Sequence, residues 1–173
     1  MAKAGDVFEL NDGEKVTVVT AAADSGGELL EVEAEWGPEK HKPLAHSHPS
    51  QDEHFEVLEG ELSVKLGDEK RVLRAGDTVD VPRRTVHAFW NSGGTVARAK
   101  WQVRPAQRTE DFFQAVHNLR AAGHSSSGGL DLTAGALVAH EYSNEFTPAL
   151  PQVARAILLP ALAGFARMRG YKT

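Results

Sequence analysis

The chain has no cysteine among its 173 residues. That excludes disulfides, thiolate metal sites, iron–sulfur clusters and a cysteine nucleophile, and it fits a cytoplasmic setting. Positive charge is in short supply too: 19 Lys and Arg against 24 Asp and Glu leave a net charge of −5. Tracking nucleic acid or an anionic membrane needs the opposite balance, so no nucleic-acid partner is expected. Long apolar runs are missing as well. The best candidate, ALPQVARAILLPALAGFARMRGYK (149–172), is interrupted by Arg155 and Pro160 and ends on Arg167-Met168-Arg169, so stable membrane insertion is not expected. The opening MAKAGDVFELNDGEK has no apolar h-region, and no secretory signal is expected there. An HExxH helix is absent, which leaves a zincin protease without support. What remains is a globular composition, 41% hydrophobic and 25% charged, in a length that suits one domain with a small appendage.

The first hundred residues read as strands. Segments 15–20, 28–36, 54–60, 61–67, 70–74, 77–82, 86–90 and 95–103 are short and rich in β-branched and aromatic residues. Gly, Asn and Asp punctuate most of the joins, and Gly60-Glu61 and Gly67-Asp68-Glu69 read as successive tight hairpin turns. Many short strands at this spacing indicate an antiparallel sandwich or barrel. After Pro105 the pattern changes. Phe112, Ala115, Val116 and Leu119 recur at helical spacing in 108–123, with Thr109 as a cap, Glu110 and Asp111 in the first turn and Gly123 at the end. A loop at 124–129, a short helix around 132–142 and an apolar helix in 149–172 follow. The chain therefore divides into a β-barrel unit, 1–107, and a helical extension, 108–173. The extension is expected to pack on the barrel or on a dimer partner. Its last helix carries Val153, Ile157, Leu158, Leu162 and Phe165, more apolar surface than one exposed helix should show, to be buried on its own barrel or across a two-fold axis.

The stretch HSHPSQDEHFEVLEG (46–60) packs three histidines and four carboxylates into fifteen positions. Side chains two apart on a strand share a face, so His46 and His48 point together. Glu53 follows after a bend at Pro49-Ser50-Gln51-Asp52 that returns a carboxylate to the same point. His87 begins the strand after Pro82-Arg83-Arg84-Thr85, where antiparallel pairing lays it across from His46 and His48. Three imidazoles and one carboxylate suit one divalent transition metal ion (Fe, Mn, Ni, Cu or Zn) and match Ca or Mg poorly. Four protein ligands leave one or two coordination positions open for water, dioxygen or substrate. His54 should point to the opposite face, and Glu56 outward to solvent. Phe55, Val57, Phe89 and Trp101 read as barrel core or pocket wall. Arg83 and Arg84 sit in the turn before His87, and Arg84 is a candidate partner for a substrate carboxylate. His41, His117, His124 and His140 have no partner pattern and read as surface residues.

These spacings resemble the cupin superfamily. Its first motif, Gly, five residues, His-x-His, three or four residues, Glu, six residues, Gly, is matched by His46, His48, Glu53 and Gly60. Its second, Gly, five residues, Pro-x-Gly, two residues, His, three residues, Asn, is matched by Gly76, Pro82, His87 and Asn91. Two positions depart: Lys40 stands where the leading Gly falls, and Arg84 replaces the Gly after Pro82. No ligand is lost. The resemblance extends over about residues 7–104 and leaves the C-terminal third uncovered. It implies a mainly β fold, the double-stranded β-helix or jelly-roll barrel, here with C-terminal helices, and His46, His48, Glu53 and His87 as metal ligands inside it; it also favours the two-fold packing, a homodimer.

Fold does not fix chemistry. A divalent ion with one carboxylate and neutral imidazoles leaves the site near a single positive charge, which favours a small anionic or enolisable ligand. Binding it beside dioxygen is the logic of quercetin-dioxygenase-like cupins, and a dioxygenase-type oxidoreductase is the favoured expectation, with Glu53 as base as well as ligand. The same ion acting as a Lewis acid gives an isomerase, lyase or decarboxylase, and a non-enzymatic small-ligand binder is the other class. A cupin regulator is disfavoured, because 108–123 and 151–170 do not read as basic recognition helices.

Overall fold

The computed structural model describes residues 2–38, 43–126 and 129–173. Lys40 and His41, considered above, lie outside the described residues. Ten strands come first: β1 (Val7–Glu9), β2 (Glu14–Thr20), β3 (Leu30–Trp36), β4 (His46–Ser47), β5 (Asp52–Glu59), β6 (Glu61–Leu66), β7 (Glu69–Arg74), β8 (Thr78–Val81), β9 (His87–Trp90) and β10 (Ala97–Arg104). Then come α1 (Thr109–Ala121), the two-residue strands β11 (Ser125–Ser126) and β12 (Gly129–Leu130), α2 (Leu132–Glu141), β13 (Thr147–Pro148) and α3 (Leu159–Met168).

Two antiparallel sheets form the jelly-roll barrel. One runs β1-β2-β3-β10-β5-β8, the other β13-β4-β9-β6-β7. Alternation decides what faces inward. Along β3, Leu30, Val32, Ala34 and Trp36 are buried while Glu31, Glu33 and Glu35 face out; along β5, Glu53, Phe55 and Val57 are buried while Asp52, His54 and Glu56 face out. The outward carboxylates meet cations on the neighbouring strand, as in Arg98 with Glu33 and Lys100 with Glu56. Such exposed pairs contribute little; the barrel rests on its apolar inner layer.

Gly67-Asp68 is the two-residue hairpin turn expected between β6 and β7, with Gly67 at φ 57°. Gly60 is not a hairpin. β5 pairs with β10 and β8, β6 with β7 and β9, so Gly60 is the corner where the chain leaves one sheet for the other. Its φ is 74°, and a Cβ there would lie 2.5 Å from the Val96 carbonyl oxygen. Both facts demand glycine.

The extension folds onto the barrel of its own chain. Phe113 is fully buried in the barrel core, and the Glu110 carboxylate accepts the Ala22 backbone N–H at 2.6 Å. His117, expected at the surface, accepts the Glu9 backbone N–H through Nδ1, and His124 stacks on Tyr171. Thr109 does not cap α1: it is the first helical residue, and its hydroxyl is taken by the Gln51 amide at 2.8 Å. Asp131 caps α2 by accepting the Thr133 and Ala134 N–H groups. The apolar helix begins with a π turn, Ala154–Leu158, directly before Pro160. Proline lacks an N–H and its ring crowds the carbonyl four residues back, and a π turn relieves both. No helix among the described residues is long and apolar enough to cross a membrane.

Candidate metal centre

Pairing of β4 with β9 sets His46 directly opposite His87, and the alternation in 46–48 turns His48 the same way. The ring nitrogens offered by His46, His48 and His87 all lie within 4.8 Å of one another. Glu53 reaches the cluster from β5, its Oε2 3.2 Å from His48 Nε2 and 3.1 Å from His87 Nε2. His48, Glu53 and His87 are buried, and His46 is half-buried.

Each imidazole is held from behind. Nδ1 of His87 meets the Thr85 carbonyl at 3.0 Å, Nδ1 of His48 the Glu145 carbonyl at 2.5 Å, and Nδ1 of His46 lies 3.4 Å from the Leu44 carbonyl. A carbonyl only accepts, so these contacts place a proton on Nδ1 and leave Nε2 as the nitrogen that faces the cluster. Glu53 is oriented likewise. Trp101 donates its indole N–H to Oε1 at 2.9 Å, which aims Oε2 at the histidines.

Electrostatics follow from this crowding. Burial, with His87 and His48 beside it, pushes the His46 imidazolium well below its ordinary range. Burial also opposes charge on His48, but the Glu53 carboxylate overcomes it and raises His48 above its usual value. Burial works to raise Glu53; His48 and His87 outweigh it and hold the carboxyl far below the carboxylate range. Two atoms are left over. His48 Nε2 and Glu53 Oε2 are buried without a directed hydrogen bond, a state that costs stability unless something joins them. A cation among the four groups satisfies both atoms. Three imidazoles and one carboxylate fit a divalent transition ion better than Ca or Mg, which prefer all-oxygen shells.

Residues 32–102 match the family described as Cupin domain. Over that span the barrel is similar to a cupin domain. A protein of Bacillus subtilis, uncharacterized protein YdbB, is 51% identical over 43 residues, which is 24% of this chain and 38% of that protein. Quercetin 2,3-dioxygenase of the same organism is 28% identical over 90 residues, 48% of this chain and 26% of the enzyme. This chain thus spans well under two thirds of either relative. Among solved structures, KdgF from Halomonas sp. superimposes with a TM-score of 0.53 at 21% identity, covering 61% of this chain and 92% of that one, a likeness of fold.

The cupin motifs also explain the surroundings of the ligands. Asn91 is fully buried and donates to the Trp36 and Thr95 carbonyls, which fixes the turn after β9. Arg84, in place of the motif glycine, has φ 68°, and its backbone N–H bonds the His48 carbonyl at 2.8 Å, tying the second motif to the first.

A cavity of about 420 Å³ opens from the ligands. Phe55, Phe89 and Trp101 line it, as expected of pocket walls. Arg84 does not: its side chain is exposed, with Nε 3.3 Å from the Pro49 carbonyl. The left-handed backbone at this residue accompanies an outward side chain, so the expected carboxylate partner is out of place. Arg83 is taken by Asp52, which it contacts at 2.5 Å. His54 faces outward and pairs with Asp80.

Four contributors to the site escaped the sequence reading. The extension forms the cavity roof, through Phe112 and Val116 of α1 and Ala136 and Val138 of α2. Phe146 stacks on His46 with ring centroids 4.5 Å apart, and β13 adds a strand beside β4, pairing Pro148 with His46. Gln51, fully buried, also lines the cavity. The contact of Glu145 with His48 spans 97 positions, and no local pattern carries it.

Proposed function

We propose that this protein binds one divalent transition metal ion (Fe, Mn, Ni, Cu or Zn) through His46, His48, Glu53 and His87, and acts on a small organic molecule as a dioxygenase-type oxidoreductase. One observation carries the reading: four metal-type donors converge, two of them without other partners, at the wall of an apolar cavity sized for a small molecule. The similarity to a quercetin 2,3-dioxygenase over 90 residues supports the oxygenase class.

An ion held by these donors supplies Lewis acidity and, where it is Fe, Ni or Cu, a site for dioxygen beside the substrate. The chain supplies the rest. With Oε1 held by the Trp101 N–H and Oε2 given to the ion, Glu53 would take the proton of a substrate hydroxyl only where its bond to the ion is weak enough to release Oε2. Phe55, Phe89 and the roof from α1 and α2 exclude water from the reacting oxygen.

The test is oxygen uptake by protein reconstituted with each metal in turn, offered flavonols, catechols and β-diketones. Uptake with at least one pair, lost in Glu53→Gln, is expected. No uptake with any pair overturns the oxygenase reading and moves weight to an isomerase, lyase, decarboxylase or ligand carrier. We also propose a homodimer through the last helix, because Val153, Ile157 and Met168 stay 69%, 67% and 80% exposed beside Leu158 and Phe165 after the extension has folded.

A further inference from the structure

The cavity holds a polar group that the metal centre does not use. Gln51 is 1% exposed and stands two residues before Glu53. Its Nε2 lies 2.9 Å from the Pro105 carbonyl, 3.0 Å from the Ala106 carbonyl and 2.8 Å from the Thr109 hydroxyl. Two of these partners are carbonyls, so the nitrogen end of the amide must face them. Oε1 is thereby left as the free end, and it is buried with no hydrogen-bond partner. Native proteins seldom bury an acceptor unpaired, and one that lines a cavity is completed by water or by the molecule that displaces it.

Charge narrows the ligand further. Among the described residues lining the cavity there is no Lys and no Arg, while Glu14, Glu53, Asp131 and Glu145 are present. Away from the ligand cluster no cationic side chain among the described lining residues offers an anion a partner, and Arg84, the candidate from sequence, points outward. The walls are aromatic: Phe55, Phe89, Trp101, Phe112, Phe113 and Phe146. A cavity of about 150 Å³ suffices for benzene; this one, about 420 Å³, has room for two to three rings.

We infer that the substrate is a flat, largely apolar molecule without a carboxylate or phosphate, carrying a hydroxyl or N–H donor that Gln51 Oε1 accepts, apart from the oxygen that meets the metal. This rests on the reading of the cavity as the substrate site. It replaces the anionic ligand expected from site charge with a neutral one that ionises only at the centre.

The experiment is calorimetric titration of three probes, 2-naphthol, 2-methoxynaphthalene and 2-naphthoate, into zinc-loaded protein and into the same protein stripped of metal. On stripped protein, where no ion competes for its one hydroxyl, 2-naphthol should bind at least tenfold tighter than its methyl ether. On stripped protein 2-naphthoate should bind no better than the ether. The Gln51 side-chain amide signals in a ¹⁵N spectrum should move with 2-naphthol and stay in place with the ether. Gln51→Met, which keeps length and removes the acceptor, should erase the preference; should that variant not fold, the wild-type comparison decides alone. Equal affinities for naphthol and ether on stripped protein overturn the role of Gln51. Tightest binding of naphthoate there, or no binding of any probe, overturns the substrate class. Absence of metal or of oxygen uptake is read in other experiments, so failure of the oxygenase reading stays distinguishable.

Discussion

Trp101→Phe removes the indole N–H while keeping an aromatic ring in the stack with Phe55, whose centroid lies 5.4 Å away. The lost contact is the bond to Glu53 Oε1 at 2.9 Å, to a carboxylate that is 3% exposed. A hydrogen bond to a charged group contributes about 1.5–3 kcal/mol, or roughly tenfold to 150-fold at about 1.4 kcal/mol per decade. Part of that loss falls on the metal-free protein as well, because Oε1 is buried in both states. The part that falls on metal binding is orientation: without the indole the carboxylate turns, and aiming Oε2 again must be repaid when the ion binds. Residues that orient ligands in this way typically cost tenfold to a hundredfold in affinity, and a loss in that range is expected here. Competition for zinc or nickel against a fluorescent chelator measures it. Lys100→Ala, on the outward face of the same strand, breaks only an exposed pair with Glu56 and serves as the unchanged control. Affinity of Trp101→Phe within twofold of wild type would refute the assignment of Trp101 as the residue that positions Glu53.

Metal analysis of wild-type protein should find close to one transition ion per chain, and His48→Ala and His87→Ala should lose most of it. Metal-free protein should melt highest near the ordinary imidazole value of 6.5, because His46 is lowered and costs stability once pH falls below that value. Glu53 is depressed, so its contribution is present above the ordinary carboxyl value of 4.5 and is lost as pH falls; His48 is raised, so its contribution is present below 6.5 and is lost as pH climbs through its raised value. Metal-loaded protein should keep gaining above that point, since the ion displaces the His48 proton, and parallel melting curves would contradict the pairing. Gly60→Ala should cost more than about 2 kcal/mol, combining left-handed backbone with a collision at Val96, while Arg84→Gly should stay within about 1 kcal/mol of wild type because relief of φ 68° and added chain entropy offset; denaturant melts check both. Ile157→Glu should turn a dimer into a monomer by light scattering, and a monomeric wild type at micromolar concentration would remove the dimer.

The cluster of four donors was legible because two local rules converge on it: the period of a strand, and turn residues at fixed spacing around His87. Eight strands, β2, β3 and β5 to β10, were legible within a residue or two for the same reason, while β1 and the two-residue β11, β12 and β13 were not. Gly60 was misread because glycine serves a hairpin and a corner between sheets equally, and only the pairing of β5 and β6 with different partners separates them. Arg84 was misread because spacing places a residue in a turn without giving the sign of φ, and here that sign goes with a side chain turned away from the cavity. Thr109 followed the capping preference of its residue type until a buried amide competed for the hydroxyl. Phe146, Gln51 and the Glu145 carbonyl had no legible role, since each acts through partners distant in the chain.

A boundary near residue 107 separates strands from helices in the chain without separating the site. The barrel supplies four donors, yet the contact that fixes the tautomer of His48 is a carbonyl of the extension, and the ring against His46 is Phe146. β13 completes the edge of the sheet that carries His46. α1 and α2 close the cavity that the strands leave open at one end. A barrel stopped after β10 would therefore keep the four donors and lose both their alignment and the cover over the cavity. The segment 145–148 is where the two parts meet, and its pairing with β4 is short, two residues on each side. Short pairing at an edge opens at low cost. Opening there would move Phe146 away from His46 and the Glu145 carbonyl away from His48 together.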